Sequence, residues 1–320
     1  MRSEKQKKVL AGILLTALVF MFAGCGNTEE LRLGAAAVGG MYHKVAGTYA
    51  DMVQLEKTAS MEVKDTAGSA ANLRLLEEGY LDLGIVQADL IQEDQDDEKN
   101  AEGGAYSAIA ALYTEPCQII VRADSDIYSV DDLQGKTVSL GESESGSEKN
   151  AEQILAFCGL TEDLFKGVSL NYSEAAGKLT SGEIDAMFCT VGVPADIVTK
   201  LAQTCGIRLL SLDETCIQRV CEVSSSCYET VIPAGTYDGQ EEDVVTIGTK
   251  AVLLVSNRIP DKIVQQLTEV LFTHAADLED VTAMDSNYNA AEAVEGVPVP
   301  FHSGAAAYYA SQGISVNSAK

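Results

Sequence analysis

Three short turns carry the residues best suited to hold a small ligand: "GGMY" at 39–42, "TAGSAAN" at 66–72 and "SGSEKN" at 145–150. Each is rich in Gly, Ser or Thr, follows an apolar strand-like run and leads into a helix-like run. A helix start offers unpaired N–H groups and a partial positive charge, so it can hold a carboxylate without a cationic side chain. One such turn says little, because small polar residues cap helices everywhere. Three of them, spread over two units of the chain, point to a binding site. In the third turn Ser145 and Glu148 spell the S-x-x-E of a capping box, in which Glu148 reaches back to the Ser145 N–H. Glu142 is expected in water.

Signals for catalysis are thin. The histidines are His43, His274 and His302, and no H-E-x-x-H, G-x-S-x-G or G-x-x-x-x-G-K-[ST] pattern occurs. Asp82, Asp89 and Asp185 sit at strand edges, where a carboxylate reads as a cap rather than a base. The run "EDQDDE" lacks the glycine and terminal glutamate of an EF-hand and reads as a solvated charge run. The chain is therefore expected to be a binder, not an enzyme, with no cofactor and no metal.

The elements that must position the three turns alternate strand and helix. "LRLGAA", "MEVKDT", "LDLGIVQ", "SAIAALY", "CQIIVRA", "GVSLNYS", "EIDAMFC", "IRLLSL" and "VVTIGTKAVLLVS" read as strands. Helical spacing follows Tyr42, Ser69 (an N-cap candidate) and Ser145, recurs near 174–181 and 194–204, and runs from Asp261 to about His274. "QEDQDDEKNAEGG" reads as an exposed loop. Such alternation predicts mostly parallel, mixed sheets flanked by helices, in two lobes joined by a hinge with a cleft between them. The chain leaves the first unit near 116–122 and returns near 245–255. Lobe 1 is expected to comprise 31–118 with 248–320, and lobe 2 to comprise 119–247.

Residues 1–24 read as a signal segment: a basic start, then the uncharged apolar run "VLAGILLTALVFMFAG". Ala23 and Gly24 before Cys25 resemble a bacterial lipobox, with Phe22 where leucine is usual, and imply lipidation of Cys25. Residues 25–30 would be a tether. The signal segment holds four of the 22 basic and one of the 48 acidic residues, so the remainder carries a formal charge of −29. Such a surface repels nucleic acid and anionic headgroups, leaving a lipid as the means of membrane attachment. Seven cysteines remain beyond Cys25, without a C-x-x-C pair, which disfavours a zinc ribbon. Cys216, Cys221 and Cys227 are close enough in sequence to allow one disulfide in an exported protein.

"GGMYHKVAG", "KDTAGSAANLRLLEEGYLDLGIVQADL", "VRADSDIYSVDDLQGKTVSLG", "ESGSEKNAEQIL", "EIDAMFCTVGVP" and "PFHSGAAAYY" occur in this order. Over residues 31–312 the chain thereby resembles the TAXI-type solute receptors of TRAP transporters. The resemblance implies a two-lobed periplasmic-binding-protein fold of the class II type, outside the cytoplasmic membrane and lipid-anchored. It implies delivery of a small solute, an acidic amino acid or dicarboxylate, to TRAP permease subunits, by a receptor expected to be monomeric. An ATP-driven importer or a sensor with the same fold is the alternative. Carried over position by position, Tyr42 would stack on or hydrogen-bond the ligand. Thr66, Ser69 and Asn72 would take a carboxylate, and Gln87 would supply an amide. Ser145, Gly146 and Ser147 would close from the other lobe. Gly192 and Pro194 would shape the rim, with Cys189 nearby. Met41, His43 and Glu144 depart from the family pattern. Glu144 stands where glycine is expected, and a glutamate beside a carboxylate site costs affinity unless it points to water.

Overall fold

A computed structural model describes residues 30–96, 104–282 and 288–319. The signal segment and Cys25 lie outside the described residues. The chain begins with β1 (Glu30–Gly34), α1 (Met41–Leu55), β2 (Ser60–Lys64), α2 (Ser69–Glu77), β3 (Leu83–Gln87), α3 (Ala88–Asp96) and β4 (Tyr106–Arg122). It continues with β5 (Thr137–Gly141), α4 (Gly146–Phe157), β6 (Lys166–Ser169), α5 (Tyr172–Ser181), β7 (Ala186–Thr190), α6 (Asp196–Cys205) and β8 (Ile207–Leu209). Then come α7 (Glu214–Val223), β9 (Tyr228–Ile232), β10 (Val244–Ser256), α8 (Asp261–Thr273), α9 (Ala275–Thr282) and α10 (Ser303–Ser311).

The strands lie in the order β2-β1-β3-β10-β4-β7-β5-β6, with β8 on β4 and β9 on β10. The sheet is mixed. β1 runs parallel to β3, and β5 runs parallel to both β6 and β7. The long strands β4 and β10 are antiparallel to their neighbours. β4 serves both lobes: Tyr106 to Pro116 pair with β10, whereas Cys117 to Val121 pair with β7. The expected pair of strands "SAIAALY" and "CQIIVRA" is thus one continuous strand. Its Thr114-Glu115-Pro116 interruption does not break it, because Pro116 sits at the changeover between partners.

Buried apolar faces explain the layers. Val252 to Val255 of β10 are buried and sit at the centre of the first lobe, as near-continuous apolar strands do when both faces are covered. Val45, Tyr49 and Val53 of α1 and Val264, Leu267 and Leu271 of α8 pack into the same core. A second core gathers Ile119, Val138, Ile154, Leu155, Phe188 and Ile217. "PFHSGAAAYY" is structural: Phe301 and Tyr309 meet edge to face at 5.4 Å, and the His302 ring accepts the Gly304 N–H at 3.2 Å to cap α10.

Some local expectations shift. Gln92 to Asp96 extend α3 instead of lying in a loop, and α7 and β9 are elements that the sequence reading did not include. Ser69 is the first residue of α2, not its cap; Gly68 takes the cap position with φ +122°. Among the described residues, no helix is long and apolar enough to cross a membrane, and no cluster of His, Cys, Asp or Glu is placed to hold a metal.

Candidate functional site

α1, α2 and α4 all begin at one cavity of about 500 Å3, within the range of small-molecule sites. The first two helices come from one lobe and the third from the other. Neither α1 nor α2 has a side chain capping its first turn, although the Ala71 N–H of α2 is taken by Glu144 O at 3.1 Å. α4 keeps its Ser145 cap, which accepts the Glu148 N–H at 3.1 Å. The wall is completed by Asn171, Tyr172, Thr190 and Ile197 from the second lobe, by Gln87 at the end of β3 in the first, and by Glu115 of β4.

Of the residues predicted for the site, Tyr42, Ser69, Gln87, Ser145, Gly146 and Ser147 line the cavity. Tyr42 and Ser69 share a hydroxyl contact at 3.2 Å, and Ser69 Oγ accepts the Gln87 N–H at 3.2 Å. Ser147 Oγ accepts the Thr190 N–H at 2.9 Å and contacts the Tyr172 hydroxyl at 2.5 Å. Gln87 Nε2 donates to Asn150 Oδ1 at 3.1 Å, whereas the buried Gln87 Oε1 finds no hydrogen-bond partner among the described residues. Gly146 lies so close to that oxygen that a Cβ there would overlap it.

Thr66, Asn72, Cys189, Gly192 and Pro194 are not among the lining residues. Asn72 is fully buried behind the wall: Nδ2 donates to Ile85 O at 2.9 Å and Gly34 O at 3.3 Å, and Oδ1 accepts from Thr66 Oγ1 at 2.7 Å. Thr66 Oγ1 in turn accepts the Ala36 N–H at 3.0 Å. These two side chains tie together the loops that carry the helix starts. Cys189 is buried in β7, and Gly192 packs against Met41 and Tyr113.

Glu115, Tyr172, Lys44, Asp196 and Lys200 were missed. Glu115 is 1% exposed, and Tyr42 donates to its Oε2 at 2.8 Å. Burial, with Asp89 nearby, pushes the Glu115 carboxyl up to about 8, so it is largely neutral at pH 7 and able to donate. The signal was a lone carboxylate inside the apolar run 106–121, which must be paired or neutral once buried. Glu142 is half-buried on the wall rather than in open water, and burial raises its pKa. At the mouth, Lys44 forms an ion pair with Asp196, and Lys200 is exposed.

Glu144 does not line the cavity. It has φ +64°, the left-handed conformation that glycine adopts at least cost, and its carboxylate pairs with Arg74 of α2. Glu148 does not reach the Ser145 N–H, which is taken by Glu142 O at 3.0 Å. It accepts the Glu144 N–H at 2.9 Å instead, and the Ser169 hydroxyl at 2.9 Å.

Two solved structures resemble this arrangement. One is an ancestral arginine-binding protein bound to arginine, at 16% identity over 79% of this chain and 96% of that one, TM-score 0.51. The other is a putative L-cystine ABC transporter from Listeria monocytogenes, at 14% identity over 81% of this chain and 98% of that one, TM-score 0.52. The likeness is one of fold: two α/β lobes of the periplasmic-binding-protein type around a cleft. Residues 33–313 match the model of the NMT1-like family, which spans both lobes and all three helix starts, and the chain belongs to that family.

Proposed function

We propose that this chain is an extracytoplasmic solute receptor that captures a small carboxylate-bearing solute, glutamate-like or dicarboxylate-like, and delivers it to a TRAP-type secondary transporter. The observation that carries the reading is the convergence of three helix N-termini from two lobes on one cavity. Glu115 fits it: a neutral carboxyl beside the Tyr42 hydroxyl adds donors without adding charge. The lobes, 31–118 with 248–320 and 119–247, move as bodies about β4 and β10. The role is binding, not catalysis, by a monomer held at the outer face of the membrane through a lipid on Cys25.

A second reading, delivery to an ATP-driven importer, is favoured by the fold shared with the putative L-cystine ABC transporter of Listeria monocytogenes. Uptake of the confirmed solute into vesicles separates the two: an ion gradient drives the first, ATP the second.

A thermal-shift series with amino acids, dicarboxylates and keto acids tests the ligand class. A solute at about 100 times its dissociation constant adds roughly 2.7 kcal/mol to stability. Stabilisation by neutral or cationic solutes alone would refute a carboxylate ligand.

A further inference from the structure

We propose that Cys158 and Cys216 form a disulfide that joins the end of α4 to the start of α7. The spacing of Cys216, Cys221 and Cys227 suggested a bond within that trio, but the fold brings Cys216 to Cys158. Their sulfurs are 2.7 Å apart. That is inside the van der Waals contact of two unbonded sulfurs and close to an S–S bond of about 2.05 Å. Both are free thiols in the structure, as are the other described cysteines.

The surroundings hold the pair in place. Cys216 is 1% exposed and sits in the first turn of α7, where its N–H is capped by Asp213 Oδ1 at 2.9 Å. Cys158 closes α4, with its N–H on Ile154 O at 2.9 Å. Next to it, Arg219 in the middle of α7 donates to Phe157 O at 2.6 Å, so the end of α4 is already docked on α7 by a second contact. α4 is the helix whose first turn places Gly146 and Ser147 in the cavity. The bond would anchor the far end of that helix.

The oxidant required is a disulfide, from a protein dithiol oxidoreductase or a small-molecule disulfide. One sulfur of the pair attacks it as thiolate and releases one thiol. The other then attacks that sulfur in the mixed disulfide and expels the second thiol. Two S–H bonds are lost, one S–S bond forms, and the oxidant is reduced to two thiols. In the cell this requires the oxidising compartment of the extracytoplasmic reading, on which the proposal rests to that extent.

The test uses the full chain. Reduced, folded protein is exposed to oxidised glutathione, unreacted thiols are blocked with a maleimide after unfolding, and the digest is mapped by mass without reduction. A peptide pair joined through Cys158 and Cys216 is expected, absent in C158S, where Cys216 takes the label. If both cysteines are labelled in the exposed wild-type protein, or another pair is joined, the proposal is overturned. The same mapping is done on chain taken directly from cells. A bond formed in vitro but missing in that sample upholds the pairing and refutes the extracytoplasmic placement. Ligand binding, measured separately, bears on the receptor reading alone.

Discussion

Arg74 and Glu144 form a two-pronged ion pair between α2 and the turn before α4, with Nε to Oε1 at 3.0 Å and Nη2 to Oε2 at 2.9 Å. The Ala71 N–H bonds to Glu144 O at 3.1 Å beside it. One partner belongs to each lobe, and both side chains are about half-exposed. The charge that seemed misplaced beside a carboxylate site is thereby neutralised outside the cavity.

An exposed pair of this kind contributes modestly. Arg74→Ala and Glu144→Ala should each weaken solute affinity less than about fivefold, and the loss should shrink in high salt. The double exchange Arg74→Glu with Glu144→Arg should recover most of it. Isothermal titration reads all three. A loss far beyond fivefold for Glu144→Ala would mean that this carboxylate meets the ligand.

Gly146→Ala is the sharper perturbation. Its Cβ would collide with the end of the Gln87 side chain from the opposite lobe, so that side chain must swing away from its bond to Asn150 or the lobes must part. Affinity should fall roughly 10- to 100-fold. Gly177→Ala on α5, where a Cβ meets nothing, serves as the control and should leave affinity unchanged.

Glu115 predicts a pH dependence. Its folded-state pKa of about 8 lies above the ordinary 4.5, chiefly because burial disfavours the anion. The folded chain thus keeps a proton that the unfolded chain releases. The stabilisation is complete below about pH 4.5 and is lost as pH rises through 8, on the order of 3–5 kcal/mol across that window. Urea titrations of wild type and Glu115→Gln between pH 5 and 9 should diverge with rising pH, the variant losing less. Parallel curves would show that Glu115 is ionised in the folded protein.

Asn72 and Ser147 should separate stability from binding. Asn72→Ala strands the Gly34 and Ile85 carbonyls and should cost about 2–3 kcal/mol in urea unfolding. Ser147→Ala removes a wall hydroxyl and the acceptor of the Thr190 N–H, and should weaken solute binding about tenfold. If Ser147→Ala binds as wild type does, the helix-start site is wrong.

The sequence displayed what is decided locally. The turns at 66–72 and 145–150 announced helix starts because a cap needs only its own turn, with Gly68 capping where Ser69 was expected, and the apolar run 244–256 announced β10 to the residue. Contacts between distant segments were hidden. Glu115 meets Tyr42 across 73 residues and Glu144 meets Arg74 across 70, and no periodicity records such meetings. The capping box was misplaced by one residue for a local reason: Glu142 O already holds the Ser145 N–H, which leaves the Glu144 N–H to Glu148. Asn72 was recognised as important, but its part is to brace loops rather than to face the cavity, and only its burial reveals that.

β10 sits between β3 and β4 although it is synthesised long after both. β5, β6, β7 and β8, by contrast, have all their sheet neighbours once residue 209 has been made. On a growing chain the middle of the sequence can therefore finish its sheet first. β1, β2 and β3, the earliest strands to emerge, must wait for residue 256 with their central partner missing and an apolar edge open. The first strands to emerge are thus the last to gain their central partner.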